Sequence, residues 1–129
     1  MRKQYYFRQS SRGLLAWDVD RLVALTRDFP VLQIPLTDIR EIGEAFWSEF
    51  DEPPTWKSIV EHIQLIENAD LCFPIILSSE GRVMDGMHRV IKALLASRAT
   101  IDAVQFTTDP EPDYIDVDST KLPYDELVP

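Results

Sequence analysis

The residues of this 129-residue chain best placed to do chemistry are Asp85-Gly86-Met87-His88-Arg89, which put a carboxylate, an imidazole and a guanidinium within five positions. Apolar residues then recur at Met87, Val90, Ile91, Leu94 and Leu95, so the run opens a helix expected over residues 87–98. A helix N-terminus has unpaired N–H donors and partial positive charge, and normally takes acids in its first turn. This one carries His88 and Arg89 there, next to Gly86, whose missing Cβ lets another group approach the backbone. Amides, dipole, guanidinium fork and glycine together describe a site for a phosphate or a carboxylate. Asp85 is the natural partner to orient Arg89 or His88, or to help hold a divalent cation. The same residues also admit a plain structural role, with Asp85 as an N-cap, Gly86 as a tight turn and Arg89 reaching sideways to the acidic C-terminal residues.

The elements expected to position this run alternate between helix and strand. Asp18 caps a first helix carrying Val19, Leu22, Val23 and Leu25, which Pro30 stops. Residues 31–39 alternate as a strand that Pro35 confines to an edge or a bend, and residues 41–50 suggest a helical turn or two. Thr55 caps the clearest helix, with Trp56, Ile59, Val60, Ile63 and Ile66 on one face and His62 at its flank. His62 is then a half-buried structural histidine, or a neutral imidazole brought near the run for proton transfer. Residues 73–77 read as a buried strand, Ser78 to Gly81 as a turn, residues 82–84 as a second strand and residues 101–106 as a last one. Cys72 reads as a small core residue and Trp17, Trp47 and Trp56 as core or edge packing, with stacking on a nucleotide base as a further role for one of them. The fold class is α/β (α+β): a small mixed sheet with flanking helices.

Charge is unevenly spread. The net charge is −9, and the last 21 residues carry seven acids against Lys121, a net of −6, while the other 108 carry 15 acids and 12 bases. The chain therefore divides into a domain over residues 1–108 and a Pro-rich acidic tail over 109–129, whose Tyr114, Ile115, Val117, Leu122 and Tyr124 argue for wrapping on the surface. At the other end Arg2, Lys3, Arg8 and Arg12 alternate with Tyr5, Tyr6 and Phe7, an arm that can contact nucleic acid or pack as a first strand against the tail. Global acidity weighs against general DNA binding, which rests on Lys and Arg neutralising phosphates. One cysteine, no apolar run long enough to span a membrane and no signal-peptide pattern place the chain in the cytoplasm as an expectation. Two histidines and one cysteine argue against zinc, and the sequence contains no P-loop, nucleophile elbow or dinucleotide fingerprint.

Pro74-Ile75-Ile76-Leu77, the turn, Gly81-Arg82-Val83-Met84 with the 85–89 run, Lys92-Ala93-Leu94-Leu95 and the 101–106 strand together resemble the ParB/sulfiredoxin superfamily. The likeness covers residues 32–106, with residues 34–39 similar to an early strand and turn of ParB N-terminal domains. It implies a compact α/β core and phosphate binding of a nucleotide, ATP or CTP, by Gly86, Met87, His88 and Arg89 with Asp85 beside them. Mg²⁺ shared between the phosphates and Asp85 is implied as cofactor. Met87 stands where sulfiredoxin has its reactive cysteine, which excludes reductase chemistry. The chain also lacks a G-E-R-R sequence and the DNA-binding and dimerisation domains of ParB, so DNA is not an expected partner for this chain alone. The free-serine kinases in the superfamily use an upstream glutamate as base, which brings in Glu41, Glu44 and Glu49. A nucleotide hydrolase or small-molecule phosphotransferase stays open, with Asp85, His88, His62 and Glu44 as catalytic candidates. The alternative is a non-enzymatic module that binds a protein, through the acidic tail, or a nucleic acid.

Overall fold

A computed structural model describes residues 3–45 and 54–124. The chain opens with a hairpin of β1 (Tyr5–Ser10) and β2 (Gly13–Asp18), antiparallel with Tyr5 opposite Asp18 and Ser10 opposite Gly13. The basic arm is thus a strand, and its partner β2 is one the sequence pattern did not suggest. Leu15, Ala16 and Trp17 of β2 are consecutive and all buried, so no alternation marks them. Asp18 caps α1 (Val19–Leu25), accepting the Asp20 N–H at 2.9 Å, and Leu22 anchors that helix in the core.

The second sheet has the order β3 (Leu32–Pro35), β6 (Thr100–Gln105), β4 (Ile75–Leu77), β5 (Val83–Asp85). β4 and β6 run parallel and the other neighbours antiparallel, so this sheet is mixed. Pro35 lies on an edge strand, where its missing N–H costs no ladder bond. The strand expected over residues 31–39 gives way after Pro35 to 3-10 turns at Leu36–Asp38 and Arg40–Gly43. Trp47 and the rest of the turn expected up to residue 50 lie outside the described residues.

Strand alternation divides the core in two. Ile75, Leu77, Val83, Ile101 and Ala103 face α3 (Met87–Leu95), packing on Val90 and Ala93. Ile76, Met84 and Val104 face the opposite way, onto Leu15 and Trp17 of β2 and Leu22 of α1. A third strand, β7 (Tyr114–Ile115), pairs with β2, so residues following the last long strand close the hairpin into a three-stranded sheet. The molecule is a small α+β fold with helices on both sides of a mixed sheet.

α2 (Trp56–Asn68) begins with a reciprocal capping box, Ser58 N–H to Thr55 Oγ1 at 3.0 Å and Thr55 N–H to Ser58 Oγ at 2.8 Å. It packs on α3, whose Lys92 Nζ donates to the Glu67 and Ala69 carbonyls at 2.8 and 2.7 Å and satisfies acceptors at the end of α2. Among the described residues α2 buries a narrow stripe: Ile59, His62 and Ile66 are half-buried, whereas Trp56, Val60 and Ile63 are exposed. That corrects the wider buried face expected from periodicity and the packed position expected of Trp56. Cys72 and Phe73 are also exposed, because the chain loops before β4 and the strand begins only at Ile75. None of the described helices is long and apolar enough to cross a membrane.

Candidate functional site

β5 delivers Asp85 directly to the start of α3, and the turn between them depends on Gly86. Its φ of +107° is left-handed, and a Cβ there would lie 2.7 Å from Ile75 Cγ2 and 2.9 Å from Arg89 Nη2. Gly86, not Asp85, is the N-cap, and it brings no side-chain cap. The first helical bond runs from Val90 N–H to the Gly86 carbonyl at 3.1 Å, so the amides of Met87, His88 and Arg89 precede the ladder. The Met87 side chain packs against the core, which leaves that residue's backbone as its contribution.

Arg89 turns back toward the sheet. Nη1 donates to the carbonyls of Phe73 (3.0 Å) and Pro74 (2.8 Å), and Nη2 to Asp85 Oδ2 (2.8 Å), in a pair with both side chains largely buried. Asp85 therefore orients Arg89, one of the two roles expected of it. The guanidinium ties the entry of β4 to the start of α3 and does not reach the tail. His88 is half-buried, its ring 5.8 Å from that of His62 across α2 and α3. Burial, and then the neighbouring His62, hold the His88 imidazole below its ordinary pKa, with Asp85 pulling weakly the other way. At neutral pH it is an uncharged donor and acceptor.

The upstream glutamates serve the other end of β5. Glu44 takes Arg82 in a two-pronged pair at 2.6 and 2.8 Å, which lowers its pKa, and Glu41 Oε2 accepts the Val83 N–H at 2.6 Å. Both are bound to the first residue of β5 and the residue before it, whereas the run of interest begins at that strand's last residue, Asp85. Glu49 lies outside the described residues.

Asp85, Gly86, His88 and Arg89 line a cleft of about 580 Å³ that is also lined by Val23, Thr26, Arg27 and Phe29 of α1 and the residues after it. Phe73 and Asp70 line the same cleft, as do the buried strand residues Ile76 and Val104. His62 does not line the cleft and sits behind His88. The Asp70 carboxylate is held below its ordinary pKa by the Cys72 backbone N–H at 2.9 Å, and in turn raises the pKa of the Cys72 thiol. Arg27, Phe29 and Phe73 were not marked as site residues by the sequence. No motif surrounds the first two, and Phe73 reads as strand core.

Among the described residues no group of three or more His, Cys, Asp or Glu is placed to hold a metal ion. Comparison with family models, with curated proteins and with solved structures finds no match to this chain.

Proposed function

We propose that this chain is a nucleotide-binding domain, with the phosphates at the Gly86-Met87-His88 start of α3 and the nucleoside in the cleft. The observation that carries the reading is that Asp85, Gly86, His88 and Arg89 line a cleft of about 580 Å³ that also has apolar and cationic side chains in its walls. That volume lies within the range usual for small-ligand sites, and a helix start in such a cleft offers N–H donors to an anion. The exposed ring of Phe73 and that of Phe29 offer apolar surface for a base. Magnesium brought in with a triphosphate would take Asp85 only through Oδ1, since Oδ2 is held by Arg89, and would keep its other ligands from phosphate and water. His88, uncharged at neutral pH, is the side chain of the run that a hydrolysis or phosphoryl transfer would draw on; Asp85 is committed to Arg89 and Glu44 to Arg82. A cytoplasmic setting accords with this ligand.

The alternative of a module acting through its basic arm or acidic tail has less support. Arg8 and Arg12 of the arm pair with Asp109 (3.1 Å) and Glu111 (4.0 Å), and Arg21 of α1 pairs with Asp113 (3.2 Å), so the arm and the tail are engaged within the molecule. This also favours a reading without DNA as partner.

The test is titration of ATP and CTP, with and without Mg²⁺, into isotopically labelled protein. Saturable shifts of the Gly86, Met87 and His88 amide resonances are expected. Unmoved spectra at millimolar nucleotide would refute the reading.

A further inference from the structure

We propose that Arg27, rather than Arg89, is the side chain that grips the anionic group of the ligand; the inference rests on the nucleotide reading and names the residue that determines its affinity. Three groups in the cleft are basic: Arg27, His88 and Arg89. Arg89 already donates to two backbone carbonyls and to Asp85, and turning it toward a ligand would strand those acceptors. His88 has a proton to donate but no charge at neutral pH. Arg27 is exposed, and among the described residues its guanidinium makes no hydrogen bond or ion pair. Its backbone is nonetheless fixed, because its N–H donates to the Ala24 carbonyl at 3.4 Å in the turn that ends α1.

Arg27, just past the end of α1, lines the same cleft as Gly86 and His88 at the start of α3. An anion between them meets neutral N–H donors on one side and a planar five-donor fork on the other, a pairing suited to a phosphate or carboxylate held by two oxygens. The two carboxylates that line the cleft are already engaged, Asp85 by Arg89 and Asp70 by the Cys72 amide, so neither closes on Arg27. A cation just past the end of α1 would also answer that helix's dipole. Lysine serves a dipole equally well but cannot supply the fork, which separates the two roles.

The experiment is calorimetric titration of ATP and CTP into the native protein and into Arg27→Ala, Arg27→Lys and Arg98→Ala, with the melting temperature of each unliganded protein. Arg98 is exposed beyond α3 and outside the cleft, and controls for a general loss of positive charge. Because Arg27 is exposed and, among the described residues, unpartnered, its variants should melt with the native protein. Arg27→Ala should bind about tenfold more weakly or worse, Arg27→Lys should fall between the two, and Arg98→Ala should bind as the native protein does. If the native protein binds and Arg27→Ala binds equally well, or Arg98→Ala weakens as much, the assignment of Arg27 is overturned and the nucleotide reading stands. If Arg27→Lys binds as tightly as the native protein, the fork is not used and the assignment also fails. If the native protein binds neither nucleotide, the nucleotide reading falls and this inference with it.

Discussion

Arg89 shows how a residue placed by a motif at a helix start can be engaged within the protein itself. A guanidinium beside a helix start suggests an anion fork, yet here it links the carbonyls of Phe73 and Pro74 to Asp85, all on the protein's own backbone and β5. Gly86 makes that approach feasible, since Arg89 Nη2 lies 2.9 Å from where a Cβ would stand. Removing the guanidinium leaves two carbonyls and a largely buried carboxylate to find other partners. Arg89→Ala should therefore lose about 2–4 kcal/mol of stability, measurable by urea denaturation, and Arg89→Lys should recover only part because a point charge cannot span the three acceptors. A variant as stable as the native protein would return Arg89 to the ligand. Loss of nucleotide binding in Arg89→Ala would by itself be ambiguous, because the strand entry it ties down also carries Phe73.

Elements whose environment is local were legible in the sequence, and those defined by distant partners were not. The α2 and α3 helices, the β4–β5 hairpin and β6 follow from periodicity, Thr55 and the Ser78–Gly81 turn, where Gly81 N–H bonds the Ser78 carbonyl at 2.9 Å. The glycine and the acid of the candidate site are likewise local signals. β2 was hidden because its central residues are buried on both faces, and Arg27 and Phe29 because they meet the run only once α1 has folded across the other face of the sheet. The α2–α3 contact makes its own prediction. His88 titrates below its ordinary value of 6.5, so in the window beneath that value the unfolded chain binds more protons than the folded one. Stability must then fall as pH drops from 7 toward 5.5, before carboxylates such as Asp109 begin to titrate. Burial raises the Asp109 pKa, but the Ser79 amide and Arg8 outweigh it and hold the group below its ordinary 3.8. Urea midpoints of the native protein should decline over that interval and those of His88→Gln should decline less. Equal slopes would separate His88 from the acid response.

At the scale of the whole molecule, the described C-terminal residues, 109–124, are a structural part of the body they wrap. Of the net charge of −9, −6 belongs to the last 21 residues, and three arginines of the first sheet and α1 face them. These pairs are partly exposed, and such bridges contribute about 0–1 kcal/mol each and weaken with salt. The uncharged contacts are deeper. Trp17 Nε1, on a side chain that is 2% exposed, donates to the Pro110 carbonyl at 2.8 Å. Asp113 and Asp116 N–H groups bond the Ala16 and Leu14 carbonyls at 2.8 Å each, and Leu122 is buried. Tyr5 packs edge-on against Tyr114 and Tyr124 and donates its hydroxyl to the Pro123 carbonyl. If apolar burial and backbone pairing dominate, raising NaCl from about 0.1 to about 1 M should change the stability of the full chain by no more than about 1–2 kcal/mol. Truncation after Thr108 should instead lose about 3 kcal/mol or more, since it uncovers Trp17 and removes the buried Leu122 and the third strand of the first sheet. Denaturation followed by circular dichroism reads both. A full chain that high salt destabilises as much as truncation does would mean that the tail is held by its charge, and the arm and tail would then be free to exchange each other for outside partners whenever ionic strength allowed.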